Sequence, residues 1–133
     1  MSRHEANLRV LKKLKSKQPL THEDIQQYSG WGGLRDCIYD KSIYRDLQKL
    51  LSDEEIKSIK QTLTSGYYTP MPIIEAIYQG LDKLGCRYGC VLEPAAGVGA
   101  FIEGAKARNA KKIFSVEIDD VSCQLLKSRF DDI

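Results

Sequence analysis

Leu8, Leu11 and Leu14 recur along one side of the first segment, and Arg3, Arg9, Lys12, Lys13, Lys15 and Lys17 crowd its other positions with Glu5 as the nearby counter-charge. That spacing predicts an amphipathic helix through Leu14 with a basic, solvated face. Thr21-x-x-Asp24 and Ser52-x-x-Glu55 have the form of a capping box, and each predicts a helix start. A further helix is expected near Ser42 to Leu51, while Gly30-Trp31-Gly32-Gly33 and Thr64-Ser65-Gly66 are breakers. From Tyr67 the pattern changes. Ile73, Ile74, Ile77, Tyr78, Leu81 and Leu84 form a helical stripe, with Thr69 as the expected N-cap and Pro70 at the first helical position. Two short apolar runs, Cys90 to Glu93 and Lys112 to Glu117, predict strands separated by a helix. Asp119 is expected to cap a last helix, Val121 to about Phe130. Asp131-Asp132 are poor charges for a helix C-terminus and should begin a turn toward a third strand. The chain therefore divides into a helical part, 1–66, and a helix–strand–helix–strand–helix part, 67–133, which is an α/β pattern.

The strand-to-strand segment carries the candidate chemistry. Val91-Leu92-Glu93-Pro94-Ala95-Ala96-Gly97-Val98-Gly99-Ala100-Phe101 runs from a strand through two spaced glycines into a helix, and Val116-Glu117-Ile118-Asp119 ends the next strand on a carboxylate. This is the layout of the first half of a nucleotide-binding sheet: glycines admit the ligand to the backbone, and the distal carboxylate accepts ribose hydroxyls. A dinucleotide fingerprint would place a third glycine at Ile102. A carboxylate at Glu93 would repel a pyrophosphate but suits a ligand carrying an ammonium and a sulfonium, such as S-adenosylmethionine. Without a ligand, the same glycines read as an ordinary strand-to-helix turn.

Gly66-Tyr67-Tyr68-Thr69-Pro70-Met71-Pro72, together with Glu93-Pro94-x-x-Gly97-x-Gly99-x-Phe101 and Val116-Glu117-Ile118-Asp119, resembles adenine-specific DNA methyltransferases, in the class whose cofactor motifs precede the catalytic motif. The resemblance implies a truncated Rossmann-like methyltransferase fold with a helical N-terminal part. It further implies that Tyr68, Thr69 and Pro70 contact the methionine end of the cofactor and that Glu93, Pro94, Ala95, Gly97, Gly99 and Phe101 surround it. Glu117 would hold the ribose and Ile118 would pack on the adenine. Tyr28-Ser29-Gly30-Trp31-Gly32-Gly33-Leu34, with Asn7-Leu8 upstream, is similar to large phage, plasmid and integrative-element proteins that join such a methyltransferase to a Swi/Snf-like helicase. The Trp turn itself reads either as a turn around a buried indole or as a DNA-backbone contact.

The catalytic signature of that family, Asp, Asn or Ser followed by Pro-Pro and Tyr or Phe, grips a flipped adenine. The four prolines here are Pro19, Pro70, Pro72 and Pro94, no two adjacent. The expectation is a cofactor-binding portion of a DNA adenine-N6 methyltransferase of restriction-modification type or from a mobile genetic element, without catalytic residues of its own. DNA is the expected partner, through the complete enzyme or a complementary polypeptide. Two strands leave a sheet edge open, so self-association is expected there. The competing reading is a non-catalytic module that binds DNA or a helicase-methyltransferase through the basic helix and Trp turn. A small-molecule methyltransferase is the third.

Composition adds bounds. With 133 residues and a net charge of +2, the chain suits one ordinary domain. No run approaches the roughly 20 apolar residues that span a bilayer, and the first residues lack a signal peptide's apolar core. Cys37, Cys86, Cys90 and Cys123 lack paired metal-ligand spacing, so free thiols in a cytoplasm are expected. The basic face of the first helix either solvates the chain or touches phosphates.

Overall fold

The computed structural model describes residues 1–130. Its elements run α1 (Arg3–Lys15), α2 (His22–Gln27), α3 (Arg35–Tyr39), α4 (Lys41–Leu50), α5 (Asp53–Gln61), α6 (Met71–Lys83), β1 (Cys90–Glu93), α7 (Ala100–Ala107), β2 (Lys112–Ser115) and α8 (Asp120–Arg129). The expected turn at Asp131-Asp132 lies outside the described residues. The result is a mixed helical protein with a small parallel sheet.

Helix starts follow the side-chain chemistry. Thr21 with Asp24 and Ser52 with Glu55 form reciprocal capping boxes, and Ser2 with Glu5 forms a third. Helix α6 departs from expectation. Pro70 has an extended backbone and is itself the N-cap, so Thr69 does not cap and the helix opens at Met71. The physical reason is that Pro72 has no N–H to satisfy and the Ile73 and Ile74 amides already reach the Pro70 carbonyl at 3.0 and 3.2 Å. The α6 stripe is also only half covered: Ile74 and Tyr78 are buried, whereas Ile73, Ile77 and Leu84 are exposed. The sequence pattern gave no sign of α3, which has no side-chain cap.

β1 and β2 pair in parallel, Cys90 opposite Lys112 through Glu93 opposite Ser115. β2 stops two residues before Glu117. Pairing still continues as single bonds, from the Val116 amide to the Glu93 carbonyl and from the Ala96 amide to the Val116 carbonyl, both 2.9 Å. One sheet face packs Val91 and Ile113 against Ile74, Tyr78 and Ala105. The other carries Leu92 and Phe114, which are 65% and 48% exposed.

The main core gathers Val10, Leu11, Tyr28, Trp31, Ile38, Leu47 and Ile59 and continues into Val98, Val121 and Leu125. Polar ties cross the same boundary. The Lys15 ammonium donates to Glu55 at 2.5 Å and to Gln124 at 2.9 Å, and the Ser58 hydroxyl donates to Asp119 while accepting from the Asp120 amide. The basic residues of α1 are correspondingly less solvated than their pattern suggests. Arg9 and Lys13 converge on buried Asp24, and Arg3 reaches the Ser29 and Gly32 carbonyls. The Lys13 hydrogen bond, then the Thr21 amide, holds the Asp24 carboxyl well below the usual carboxylate range. Among the described residues no helix is long and apolar enough to cross a membrane.

Candidate functional site

The turn after β1 is built by glycine and carboxylate together. Gly97 takes φ +53°, a left-handed conformation open to glycine at little cost, and its amide donates to a Glu117 oxygen at 2.6 Å. The other Glu117 oxygen accepts from the Asp119 amide at 2.8 Å. Each ionised carboxylate oxygen retains further acceptor capacity, so Glu117 is oriented without being exhausted. Asp119 caps α8 by accepting from the Val121 and Ser122 amides, as its position in the sequence predicts.

Behind this turn a hydrogen-bonded chain runs from Ser58 to Asp119, from the Ser122 hydroxyl to Asp119 at 2.5 Å, and between Ser122 and the Tyr68 hydroxyl at 2.6 Å. Burial pushes the Tyr68 hydroxyl above its ordinary pKa. Its ring meets Tyr28 edge-to-face at 6.0 Å between centroids. Tyr28 is buried too, and its hydroxyl is pushed well above the ordinary value, first by burial and then by Tyr68 and Asp119. The nearby Trp31 N–H and Ser122 hydroxyl act the other way, yet the Tyr28 hydroxyl and the Trp31 indole nitrogen lack hydrogen-bond partners.

The Gly-Trp-Gly-Gly turn adjoins this cluster. Fully buried Asn7 pins it, donating to the Gly30 carbonyl at 2.6 Å and accepting from the Ser29 amide at 3.1 Å. The Gly32 amide donates to the Gly66 carbonyl and the Gly33 amide to the Leu63 carbonyl, at 3.2 and 3.0 Å. Trp31 is therefore a buried indole at 1% exposure, not a surface residue set out for a DNA backbone.

These segments enclose a cavity of about 520 Å³, within the ordinary range for a small-molecule site. Of the residues singled out in the sequence, Tyr68, Thr69, Pro94, Ala95, Gly97, Phe101, Glu117 and Ile118 line it. Pro70, Glu93 and Gly99 lie outside the lining. Pro70 serves as the α6 cap, and a Glu93 oxygen accepts from the Ala95 amide at 3.0 Å. Gly99 makes room for Phe130 and Leu126, which a Cβ there would approach to 2.5 and 2.8 Å. Ile102, at the would-be third glycine, is fully buried against Ala96 and Leu126. Lining residues that sequence reasoning did not assign include Gly30, Trp31, Thr62, Ser65, Gly66 and Ser122. For Gly30, Trp31, Ser65 and Gly66 the signal was that both glycine-bearing breakers had to be loops. Among the described residues no cluster of three metal-ligating side chains occurs, and the four cysteines are free.

No family model and no solved structure matches the chain. A 65-residue stretch is 34% identical to the Type II methyltransferase M.NspV of Nostoc sp. (strain ATCC 29411 / PCC 7524), covering 47% of this chain and 14% of that enzyme. Over that stretch the chain is related to a methyltransferase, and it corresponds to a small part of the relative's length.

Proposed function

We propose that this chain is the S-adenosylmethionine-binding portion of a DNA adenine-N6 methyltransferase with a Rossmann-like fold. The observation that carries the reading is one cavity shared by the Tyr68-Thr69 segment, the Gly97 turn and Glu117. Those are the three separated motifs on which the family resemblance rests, and the partial likeness to a Type II methyltransferase supports the same class. A carboxylate already oriented by two backbone amides suits vicinal ribose hydroxyls, and Ile118, 74% exposed beside it, offers an apolar surface to adenine. Bound S-adenosylmethionine would supply an activated methyl group. This chain's residues bind and orient it: Glu117 takes the ribose, Ile118 and Phe101 the base, and Tyr68 and Thr69 the methionine end. The Asp/Asn/Ser-Pro-Pro-Tyr/Phe signature does not occur in these 133 residues, so by themselves they transfer no methyl group. DNA is engaged through the complete enzyme or a complementary polypeptide, in a cytoplasm.

Calorimetry with S-adenosylmethionine tests the cofactor reading. Wild type should bind, and Glu117→Ala should lose about 1.5–3 kcal/mol, the range for a hydrogen bond to a charged group. Equal binding by wild type and Gly97→Val, or none by wild type at millimolar ligand, would overturn it. Incubation with labelled cofactor and mixed-sequence DNA tests the rest. Label in adenine that Gly97→Val abolishes would show that the chain methylates unaided.

A further inference from the structure

The Gly-Trp-Gly-Gly turn has no role in the function just proposed, yet it touches the pocket at its most constrained point. Tyr68 lies between two glycines from opposite halves of the chain. At Gly30, φ +63°, a Cβ would overlap one edge of the Tyr68 ring, and at Gly97 a Cβ would stand 2.9 Å from Cε1 on the other edge. The ring cannot swing toward either side, and the hydrogen bond to Ser122 fixes its far end. Two residues on from Gly30, a Cβ at Gly32 would run into the Gly66 carbonyl, which already accepts the Gly32 amide. The turn thus sets the backbone leading into Tyr68 as well as the side chain. Trp31, between these two glycines, lines the cavity.

A turn needed only for packing would not call for these side chains. Phenylalanine in place of Tyr28 would fill nearly the same space without burying a hydroxyl that has no partner, and an apolar ring in place of Trp31 would avoid a buried, unpaired N–H. Tyr28 stands next to the Tyr68–Ser122–Asp119 chain that ends at the pocket, and Trp31, beside Tyr28, lines the pocket itself.

We propose that the Gly-Trp-Gly-Gly turn is a positioning device for the cofactor: Gly30 and Gly97 clamp the Tyr68 ring, and Trp31 closes the pocket wall. Cofactor affinity then depends on a contact between the helical N-terminal part and the glycine turn after β1. This rests on the cofactor reading above. It assigns Gly30, Gly32 and Trp31 as positioning residues, acting through Tyr68 and the wall and not through bonds of their own to the ligand.

Trp31 is the chain's single tryptophan, so its emission reports this wall directly. The full chain would be titrated with S-adenosylhomocysteine, following Trp31 fluorescence and calorimetric heat in parallel. A saturable change in emission with the calorimetric midpoint is expected. Heat without any change in emission would overturn the proposal and leave the cofactor reading standing. No heat from wild type would remove the cofactor reading and this inference with it. Gly30→Ala and Gly32→Ala should each bind about tenfold more weakly or worse, a tenfold change being 1.4 kcal/mol. Gly80→Ala, whose Cβ meets nothing within 4 Å, should bind as wild type. In a double-mutant cycle, Gly30→Ala combined with Tyr68→Ala should lose clearly less than the sum of the two single losses, because the clash disappears with the ring and only the left-handed backbone strain at residue 30 remains. Fully additive losses, or a folded Gly30→Ala with wild-type affinity, would overturn the clamp. If neither glycine variant folds, the wild-type fluorescence titration still decides.

Discussion

The helical layer and the sheet meet solvent in opposite ways. Between α1 and α5, Val10, Leu11, Ile38, Leu47 and Ile59 are completely buried and Trp31 nearly so, giving that region a closed interior. In the strand region, Leu92, Phe114, Val116 and Ile118 stand 48–74% exposed in a chain whose strands pair only with each other among the described residues. Parallel sheets are ordinarily covered on both faces. Stability therefore concentrates in the N-terminal layer, while the half that carries the Gly97 turn leaves apolar surface in water.

This contrast can be broken most directly by truncating one residue from each region. Leu11→Ala should cost about 2–5 kcal/mol in urea unfolding followed by circular dichroism, because it opens a cavity in the closed core. Leu92→Ala should stay within about 0.5 kcal/mol of wild type. Equal losses would mean that the sheet face is covered in solution. Next in size, Asp24→Asn should lose about 1–3 kcal/mol, since it leaves Lys13, Arg9 and the Thr21 cap with a poorer acceptor. The sign with pH follows from the lowered folded pKa. The Asp24 contribution is complete above the unfolded value of about 3.9 and is lost as pH falls below it toward the folded value. In thermal melts from pH 6 down to pH 2, the gap between wild type and Asp24→Asn should therefore narrow steadily below about pH 4. Ser52→Ala should cost about 1 kcal/mol through the α5 capping box. The smallest stability effect, near zero, is expected for Phe114→Ser. The same change should reduce concentration-dependent light scattering if the bare sheet face drives self-association.

What the sequence disclosed and what it withheld separate by range of interaction. Capping boxes at Thr21 and Ser52 were readable because both partners lie three residues apart, and strand pairing was readable because β1 and β2 flank a single helix. The Gly97 turn and Glu117 were legible because their spacing reflects that same unit. The internal pairing of the basic helix was not: Lys15 meets Glu55 across 40 residues and Gln124 across 109. Thr69 was misjudged because consecutive proline effects at Pro70 and Pro72 removed the need for a side-chain cap. The place of the Trp turn was hidden for the same reason as the Lys15 contacts, since the contacts that put it against Tyr68 and Gly66 are all nonlocal.

The bridge from Lys15 through Glu55 to Gln124 also bears on how the chain is made. Ribosomes add about 5–20 residues per second, so the 109 residues between Lys15 and Gln124 separate the emergence of the two by about 5–20 s. During that interval Asn7 can already seize the Ser29–Gly30 turn, only 22 to 23 residues downstream. The nascent chain can thus shape one pocket wall before the opposite wall has been synthesised, and α8 closes against a surface that is waiting for it.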